Sequence, residues 1–179
     1  MVRYHDEEWG VPCHDDVELF ERLALESFQA GLSWSTILHK RDAFRSAFRG
    51  FEPAVVAAFD DADRARLMVD AGIVRNRAKI DATIGNARAW LALGAEAGSA
   101  DAWLGRMVPG PVRRLAPDAG GDAVPARTDA SDALSAELRR RGFRFVGSTI
   151  VYAFMQSVGL VDDHLPGCFR HAGATAQSG

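Results

Sequence analysis

The sequence predicts an all-α fold, and three observations support that prediction. Apolar residues recur at helical spacing along most of the 179-residue chain, whereas the alternating runs that form strands are scarce. Residues that cap helix N-termini precede these stretches, as Asp15 or Asp16 and Ser33 do. Glycines follow them, as Gly31 does at the position where a left-handed C-cap is favoured. We therefore expect a domain built almost entirely of helices.

Further helix signals continue along the chain. Pro53 suits the first turn of a short helix, and Asp60 can cap another that runs to about Asp70. A long helix is predicted from Asn76, with a buried stripe of Ile80, Ile84, Ala87 and Leu91. Helical periodicity returns over 131–141 and again over about 148–158.

The stretch between Gly94 and Thr128 is rich in glycine, alanine and proline, residues that interrupt helices. It predicts a loop-rich connection over about 94–130. Residues 172–179 are expected to be a disordered tail, which leaves residues 1–171 as a single domain.

Composition excludes several classes of protein. The apolar runs are far shorter than a membrane span, and charged residues over 3–8 occupy the place where a signal peptide needs an apolar run. We therefore expect a cytoplasmic protein without membrane contact. Two cysteines, Cys13 and Cys168, suit a reducing compartment better than a disulfide scaffold. The net charge of −3 does not decide whether nucleic acid binds, because a local basic patch would do that.

Glu26 is the most informative candidate for chemistry. It lies among apolar and aromatic residues just before Gly31, in the stretch 25–34 (LESFQAGLSW). Burial of an ionised carboxylate costs several kcal/mol or more without partners, so a buried Glu26 should have a shifted pKa or meet a polar ligand. The alternative is a glutamate that faces solvent at a helix end, which is the commoner case.

Residues 67–79 read as two helical segments joined by a turn, in the manner of a helix-hairpin-helix. Gly72 would allow a tight backbone path before Ile73, and the next helix N-terminus could hold a phosphate. Arg75, Arg77 and Lys79 add positive charge there. Such contacts predict DNA binding without sequence specificity. An αα-hairpin with a solvated basic corner explains the same pattern about as well.

Two histidines and a thiol from opposite ends of the chain could bind zinc. His5 lies near the start, and His164 and Cys168 flank a Pro-Gly turn near the end. Neutral imidazole and thiolate are preferred zinc ligands. Cys13 and His14 are the two candidates for a fourth ligand, although their spacing demands neither.

An ordered series of segments carries a family resemblance. They are 4–12 (YHDEEWGVP), 25–26 with 29–34 (LE, QAGLSW), 70–73 through 84–87 (DAGI, IGNA), 131–134 (SDAL), 141–147 (RGFRFVG), and 154–156 with 159–161 (FMQ, GLV), followed by His164 and Cys168. In these segments the chain resembles the DNA-3-methyladenine glycosylase I family. The similarity runs from Tyr4 to Cys168.

The resemblance implies a helix-hairpin-helix glycosylase fold, with helices in two lobes and an active-site cleft between them. It also implies a monofunctional base-excision enzyme that flips 3-methyladenine out of alkylated double-stranded DNA and hydrolyses its N-glycosidic bond. A backbone-cutting relative would need a lysine nucleophile beside the hairpin. Lys79 is the only lysine near it, and its position at a basic helix start favours phosphate contact instead.

Residue roles follow from the same resemblance. Glu26 is expected to be the catalytic selector, because a carboxylate favours a cationic purine. Tyr4 and Trp34 are expected to stack on the base, with Trp9 as a pocket wall. Residues Gln29 to Leu32, which include Gly31, match the segment that fills the gap left in the duplex by the flipped base. Trp9 could instead be a core residue.

The family also carries a structural zinc held by two cysteines and two histidines, of which His5, His164 and Cys168 match three. The first family cysteine lies upstream of the segment that begins at Tyr4, and this sequence begins three residues before Tyr4. We favour an assigned start that is too late, which an in-frame upstream cysteine codon would support. A truncated chain or an incomplete zinc site are the alternatives.

Two other functions fit the same residues. One is a non-catalytic module that binds alkylation damage, and the other is a glycosylase of broader substrate range. A monomer is expected in each case.

Overall fold

The computed structural model describes residues 1–109, 112–116 and 118–171. Within these residues the chain forms ten α-helices, two short 3₁₀ segments and two two-residue strands. The helices are α1 Val2–Glu7, α2 Asp16–Gln29, α3 Trp34–His39, α4 Arg41–Ala47, α5 Pro53–Ala57, α6 Asp61–Val69, α7 Arg77–Ala97, α8 Ala100–Met107, α9 Asp129–Arg140 and α10 Ser148–Ser157. The predicted all-α fold is confirmed. No helix in the described part of the chain is long and apolar enough to cross a membrane.

Helix α2 is the central element, because it packs against α3, α7, α8 and α10. Its N-terminus is capped by Asp15, whose carboxylate accepts from the backbone N–H groups of Val17 and Glu18. The helix ends at Gln29, and Gly31 follows with a φ of +84°, which favours glycine. Most of α2 is buried, so a polar residue on it, such as Glu26, is carried into the interior.

Helices α6 and α7 are joined by the turn 70–76, and α7 begins where the sequence predicted. Asn76 caps it by accepting from the Lys79 N–H at 3.1 Å. The predicted stripe is correct at Ile80, Ile84 and Ala87, but wrong at Leu91, which is 42% exposed. Trp90 is the buried residue instead, because its ring packs on Phe20 and Phe143 and its indole N–H donates to the Asp16 carbonyl.

The loop-rich connection predicted over about 94–130 contains a helix that sequence analysis missed. Helix α7 runs through Gly94 to Ala97, and Ser99 then caps α8. Trp103 and Leu104 on α8 are buried. The carboxylate of Asp16 accepts from Ala100 N and Asp101 N and so ties α8 to α2. Eight residues with two apolar anchors gave too short a periodic signal among the glycines and alanines.

Two strands, β1 Arg113–Arg114 and β2 Val161–Asp162, form a small parallel pair. This pair places the residues that follow Val161 beside α10, where Asp163 and His164 are buried. The predicted disordered tail, 172–179, lies outside the described residues.

Candidate active site

An aromatic pocket of about 170 Å³ lies between α1, α2, α3 and α10. Its lining residues are Tyr4, Trp9, Glu26, Gln29, Trp34, Ala153 and Gln156. The structure therefore brings together Glu26 and the three aromatic residues predicted to hold a base, although they come from three different parts of the chain. Ala153 and Gln156 were not predicted. Their helix carried an ordinary apolar pattern, and nothing in the sequence showed which face of it meets α2.

Glu26 is buried in the wall of this pocket, with 5% of its surface exposed. Burial raises the pKa of its carboxyl group from 4.5 to about 8, and no charged neighbour offsets the lost hydration. The carboxyl is therefore mostly protonated at neutral pH when the pocket holds no cation. The alternative of a solvent-facing glutamate is wrong.

The aromatic walls are held close to Glu26. The rings of Tyr4 and Trp34 lie 5.3 Å apart between centroids, at an interplanar angle of 47°. Burial, followed by the charge of Glu26, raises the pKa of Tyr4 above its usual value, so the phenol stays neutral. The indole N–H of Trp34 is buried and has no hydrogen-bond partner among the described residues. A flat, polar ligand is the kind of molecule that such a pocket accommodates.

An ion-pair network outside the pocket fixes the segment that carries Tyr4 and Trp9. Glu8 pairs with Arg41, which lowers the pKa of the Glu8 carboxyl. Arg22 on α2 donates to the Glu8 carbonyl at 3.2 Å and to the Ser157 carbonyl. These contacts tie the short α1 segment to α2, α4 and α10. Such contacts are needed because a helix as short as α1 is not stable alone. None of these charged residues has a role that the sequence predicted.

The pocket opens into a groove of about 240 Å³ beside the turn that follows α2. The groove is lined by Glu26, Gln29, Ala30, Gly31, Leu32, Thr149, Ile150 and Ala153. Leu32 is 42% exposed at its edge. The residues predicted to enter the duplex therefore border the same opening as the predicted base pocket.

Three of the predicted DNA contacts on 67–79 are not placed to meet a phosphate. Ile73 is buried in the core. The Gly72 N–H donates to the Asp70 carboxylate at 2.7 Å, so it is already paired, and with a negative group. Lys79 is buried, and its ammonium donates to the carbonyls of Phe28 and Ala30 at 2.8 and 2.7 Å. Arg75 and Arg77 are the exposed cations of this hairpin, and Arg77 lies 3.8 Å from the Asp81 carboxylate.

The buried position of Lys79 has a local cause. The last carbonyls of α2 lack helical partners, and the turn 30–33 brings them next to the start of α7. A lysine ammonium satisfies two of them and complements the helix dipole. Burial lowers the pKa of this ammonium. Sequence alone could not separate this contact from a phosphate contact, since both need a lysine at a helix start.

A second helix pair, α9 and α10, is joined by the turn 141–147 and presents a different surface. Thr128 caps α9, whereas the α10 N-terminus at Gly147 has no side-chain cap. An open groove of about 400 Å³ lies here, and Arg127 and Arg139 are among its lining residues. Arg127 lies 3.7 Å from the carboxylate of Asp132, which also lines the groove. A helix N-terminus without a side-chain cap, with arginines nearby, suits an anion. The sequence predicted no function for this hairpin.

The candidate metal centre lies behind the pocket. Ligand atoms of His5, His164 and Cys168 lie within 4.8 Å of one another, and Cys168 Sγ is 3.5 Å from His5 Nε2. His164 Nδ1 lies 2.8 Å from Asp162 Oδ1, which leaves Nε2 buried without a partner among the described residues. That orphaned nitrogen fits a metal ligand. The alternative fourth ligands are outside the cluster, since His14 pairs with Asp101.

The whole chain that forms this pocket is similar to known proteins. The family model of the methyladenine glycosylases matches residues 1–171. The chain belongs to the methyladenine glycosylase family. The resemblance found in the sequence is thereby confirmed over the whole described domain.

Curated relatives and solved structures of methyladenine glycosylases agree. DNA-3-methyladenine glycosylase 1 of Escherichia coli is 46% identical over 172 residues, covering 96% of this chain and 91% of that protein. The crystal structure of a 3-methyladenine DNA glycosylase I superposes with a TM-score of 0.89 at 48% identity, covering 95% and 93% of the two chains. The Staphylococcus aureus enzyme, whose structure addresses recognition of 3-methyladenine, gives 0.88 at 39% identity, covering 93% and 88%.

Proposed function

We propose that this protein is a monofunctional DNA glycosylase that hydrolyses the N-glycosidic bond of 3-methyladenine in alkylated duplex DNA. The observation that carries the proposal is the buried Glu26 with its raised pKa, facing the same cavity as Tyr4, Trp9 and Trp34. The family membership and the activity that its relatives are named for support it.

Glu26 selects for charge. A neutral base leaves its carboxyl buried and protonated. A base methylated at N3 is a cation while it is attached to the sugar. Its positive charge favours the ionised form of Glu26 and is attracted to that carboxylate. Stacking against Tyr4 and Trp34 adds cation–π attraction. The pocket thus gains affinity only when the base is positively charged, which distinguishes damage from normal adenine.

The same charge explains why the chemistry needs little acid catalysis. The C1′–N9 bond breaks with its electron pair moving to the purine, whose positive charge is neutralised. A water oxygen bonds to C1′ and loses its proton to solvent. The enzyme contributes by holding the flipped nucleotide with its glycosidic bond exposed to water, and the negative Glu26 keeps the cationic base bound in the pocket.

Duplex contact is assigned to two neighbouring surfaces. The turn from Gln29 to Leu32 borders the groove and would fill the gap left by the flipped base, with the exposed Leu32 as wedge. The uncapped N-terminus of α10, with Arg127 and Arg139, would hold the backbone. The hairpin of α9 and α10 thus takes the place of residues 67–79 as the main phosphate contact, with Arg75 as an additional cation.

His5, His164 and Cys168 would hold a structural zinc. Three borderline-soft donors, with Asp162 orienting His164, suit this ion, which would tie the first helix to the end of the domain. Zinc would contribute stability, and the pocket chemistry involves only the chain's own residues. The protein would act as a cytoplasmic monomer.

A base-release experiment tests the function against the alternative of a non-catalytic damage-binding module. Purified protein is incubated with methylated duplex DNA, and the free bases are quantified by chromatography. We expect release of 3-methyladenine, and a loss of at least tenfold in Glu26→Gln. Binding of the DNA with no base released would contradict the enzyme and favour the binding module. Glu21→Gln, which alters a buried glutamate of the same helix outside the pocket, is the control.

A further inference from the structure

Gln156 is a pocket residue for which the proposed chemistry has no role so far. It lies on α10 and lines the same cavity as Glu26. Its amide nitrogen donates to Asp163 Oδ2 at 2.9 Å. The Asp163 side chain is fully buried, with 0% of its surface exposed. The amide thus joins the pocket to a buried carboxylate behind it.

The partners of Asp163 fix which end of the amide faces it. Arg113 forms an ion pair with Oδ1 and also donates to the Tyr152 hydroxyl at 2.9 Å. The Tyr152 hydroxyl donates to Oδ2 at 2.5 Å. Burial, together with the bond to Asp163, raises the pKa of Tyr152, so its phenol keeps the proton that it donates. Arg113, Tyr152 and Gln156 therefore all donate to Asp163, whose two oxygens are the acceptors of this cluster.

This arrangement prevents Gln156 from reversing its amide. A flip would place the Gln156 carbonyl oxygen against the Asp163 carboxylate, leaving two buried acceptors together and a lost hydrogen bond. The nitrogen therefore stays with Asp163, which leaves the carbonyl oxygen as the acceptor that Gln156 can offer to the pocket. The cavity then presents a neutral acceptor of fixed orientation in addition to Glu26.

We infer that Gln156 is a specificity-determining residue that accepts a hydrogen bond from the 6-amino group of the flipped base, and that Asp163 is the residue that positions it. The inference rests on the proposed function. Adenine carries a donor at position 6, whereas guanine carries a carbonyl acceptor there. A fixed acceptor attracts the first and repels the second. Glu26 thus selects for charge, and Gln156 selects adenine over guanine among bases with the same charge.

The test measures both bases released from one DNA sample. Duplex DNA methylated to contain 3-methyladenine and 3-methylguanine is treated with excess protein, and the single-turnover rate constants are obtained from the same time course. Their ratio does not depend on the active fraction of the preparation. We expect the ratio of adenine to guanine release to fall about tenfold in Gln156→Met, which removes the acceptor while keeping the volume.

Asp163→Asn tests the positioning role separately. An asparagine can donate to the Gln156 carbonyl, so the amide is free to flip, and we expect a similar fall in the ratio. Tyr152→Phe removes another donor to Asp163 but keeps the Gln156 bond, so its ratio should stay within twofold of the unmodified protein. Circular dichroism and thermal melting check each fold, and Gln156→Met stands alone if Asp163→Asn does not fold.

The outcomes separate the two proposals. An unchanged ratio in Gln156→Met, with 3-methyladenine still released, overturns the inference and leaves the proposed function intact. An equal fall in Tyr152→Phe overturns it as well, because the buried cluster would then act only through general packing. If the unmodified protein releases neither base, the proposed function itself fails.

Discussion

Replacement of Glu26 by glutamine should make the protein more stable, and increasingly so as the pH rises. In the folded chain the Glu26 pKa is about 8, against an ordinary value of 4.5. Between these values the folded state binds more protons than the unfolded state, so the free energy of unfolding falls as the pH rises. The stabilisation that Glu26 contributes by binding a proton is fully present below pH 4.5 and is lost as the pH rises through 8. Glutamine cannot ionise, so the variant lacks this slope.

The size of the effect follows from the two pKa values. They differ by about 3.5 pKa units, each worth about 1.36 kcal/mol. From pH 5 to pH 8.5 the linkage relation gives an increase of about 4 kcal/mol in the stability of Glu26→Gln relative to the unmodified protein. That is a large part of the roughly 5–15 kcal/mol that stabilises an ordinary domain.

Urea unfolding at pH 5 and pH 8.5 measures this difference. Glu21→Gln is the control, because Glu21 is also buried on α2 but accepts two hydrogen bonds from Arg45 at 2.8 and 2.9 Å. Loss of that pair should lower stability at both pH values. The reasoning would be refuted if Glu26→Gln and the unmodified protein showed parallel pH dependence. A glutamate that stays ionised and solvated in the fold would behave in that way.

Three further predictions concern residues outside the pocket. Lys79→Met should lower the free energy of unfolding by about 1–3 kcal/mol, because two carbonyls lose their donor. The slope of the logarithm of the DNA-binding constant against the logarithm of the salt concentration should stay the same. If that slope were reduced by about 1, Lys79 would instead be a phosphate contact. Arg139→Ala should weaken binding to unmodified duplex DNA and reduce that slope by about 1, with the thermal midpoint unchanged; an unaltered slope would remove α10 and its neighbours from the interface. Cys168→Ser should lose the bound zinc that elemental analysis is expected to find in the unmodified protein, and a metal-free unmodified protein would contradict the zinc proposal.

The sequence predicted the helices best where a capping residue and a long apolar pattern coincide. Asp60 and Asn76 both cap helices at the predicted places. It failed at α8, whose pattern is too short, and at Leu91, because the direction of the core at the end of α7 depends on where Phe20 and Phe143 lie. Periodicity describes one helix and carries no information about its neighbours.

The residues of the base pocket were predicted largely through the family resemblance. Glu26 is the exception, because its apolar sequence neighbours alone made it a candidate functional residue. The position of Glu26 among apolar residues predicted a shifted pKa, and burial produces it. Lys79 shows the opposite case. A lysine at a basic helix start favoured a phosphate contact, but the carbonyls that it binds belong to the C-terminal end of α2, 49 to 51 residues earlier in the chain. Only the tertiary structure brings those groups together.

The most direct test of the charge-selective pocket is the number of protons released when a cationic base binds. Calorimetric titration of the protein with the 3,9-dimethyladeninium cation, in two buffers of different ionisation enthalpy at pH 7, gives that number. We predict release of nearly one proton, because the cation converts a Glu26 with a pKa of about 8 to its carboxylate. We also predict no comparable binding of neutral 9-methyladenine. Binding of the cation without proton release, or equal binding of the neutral base, would contradict selection by Glu26.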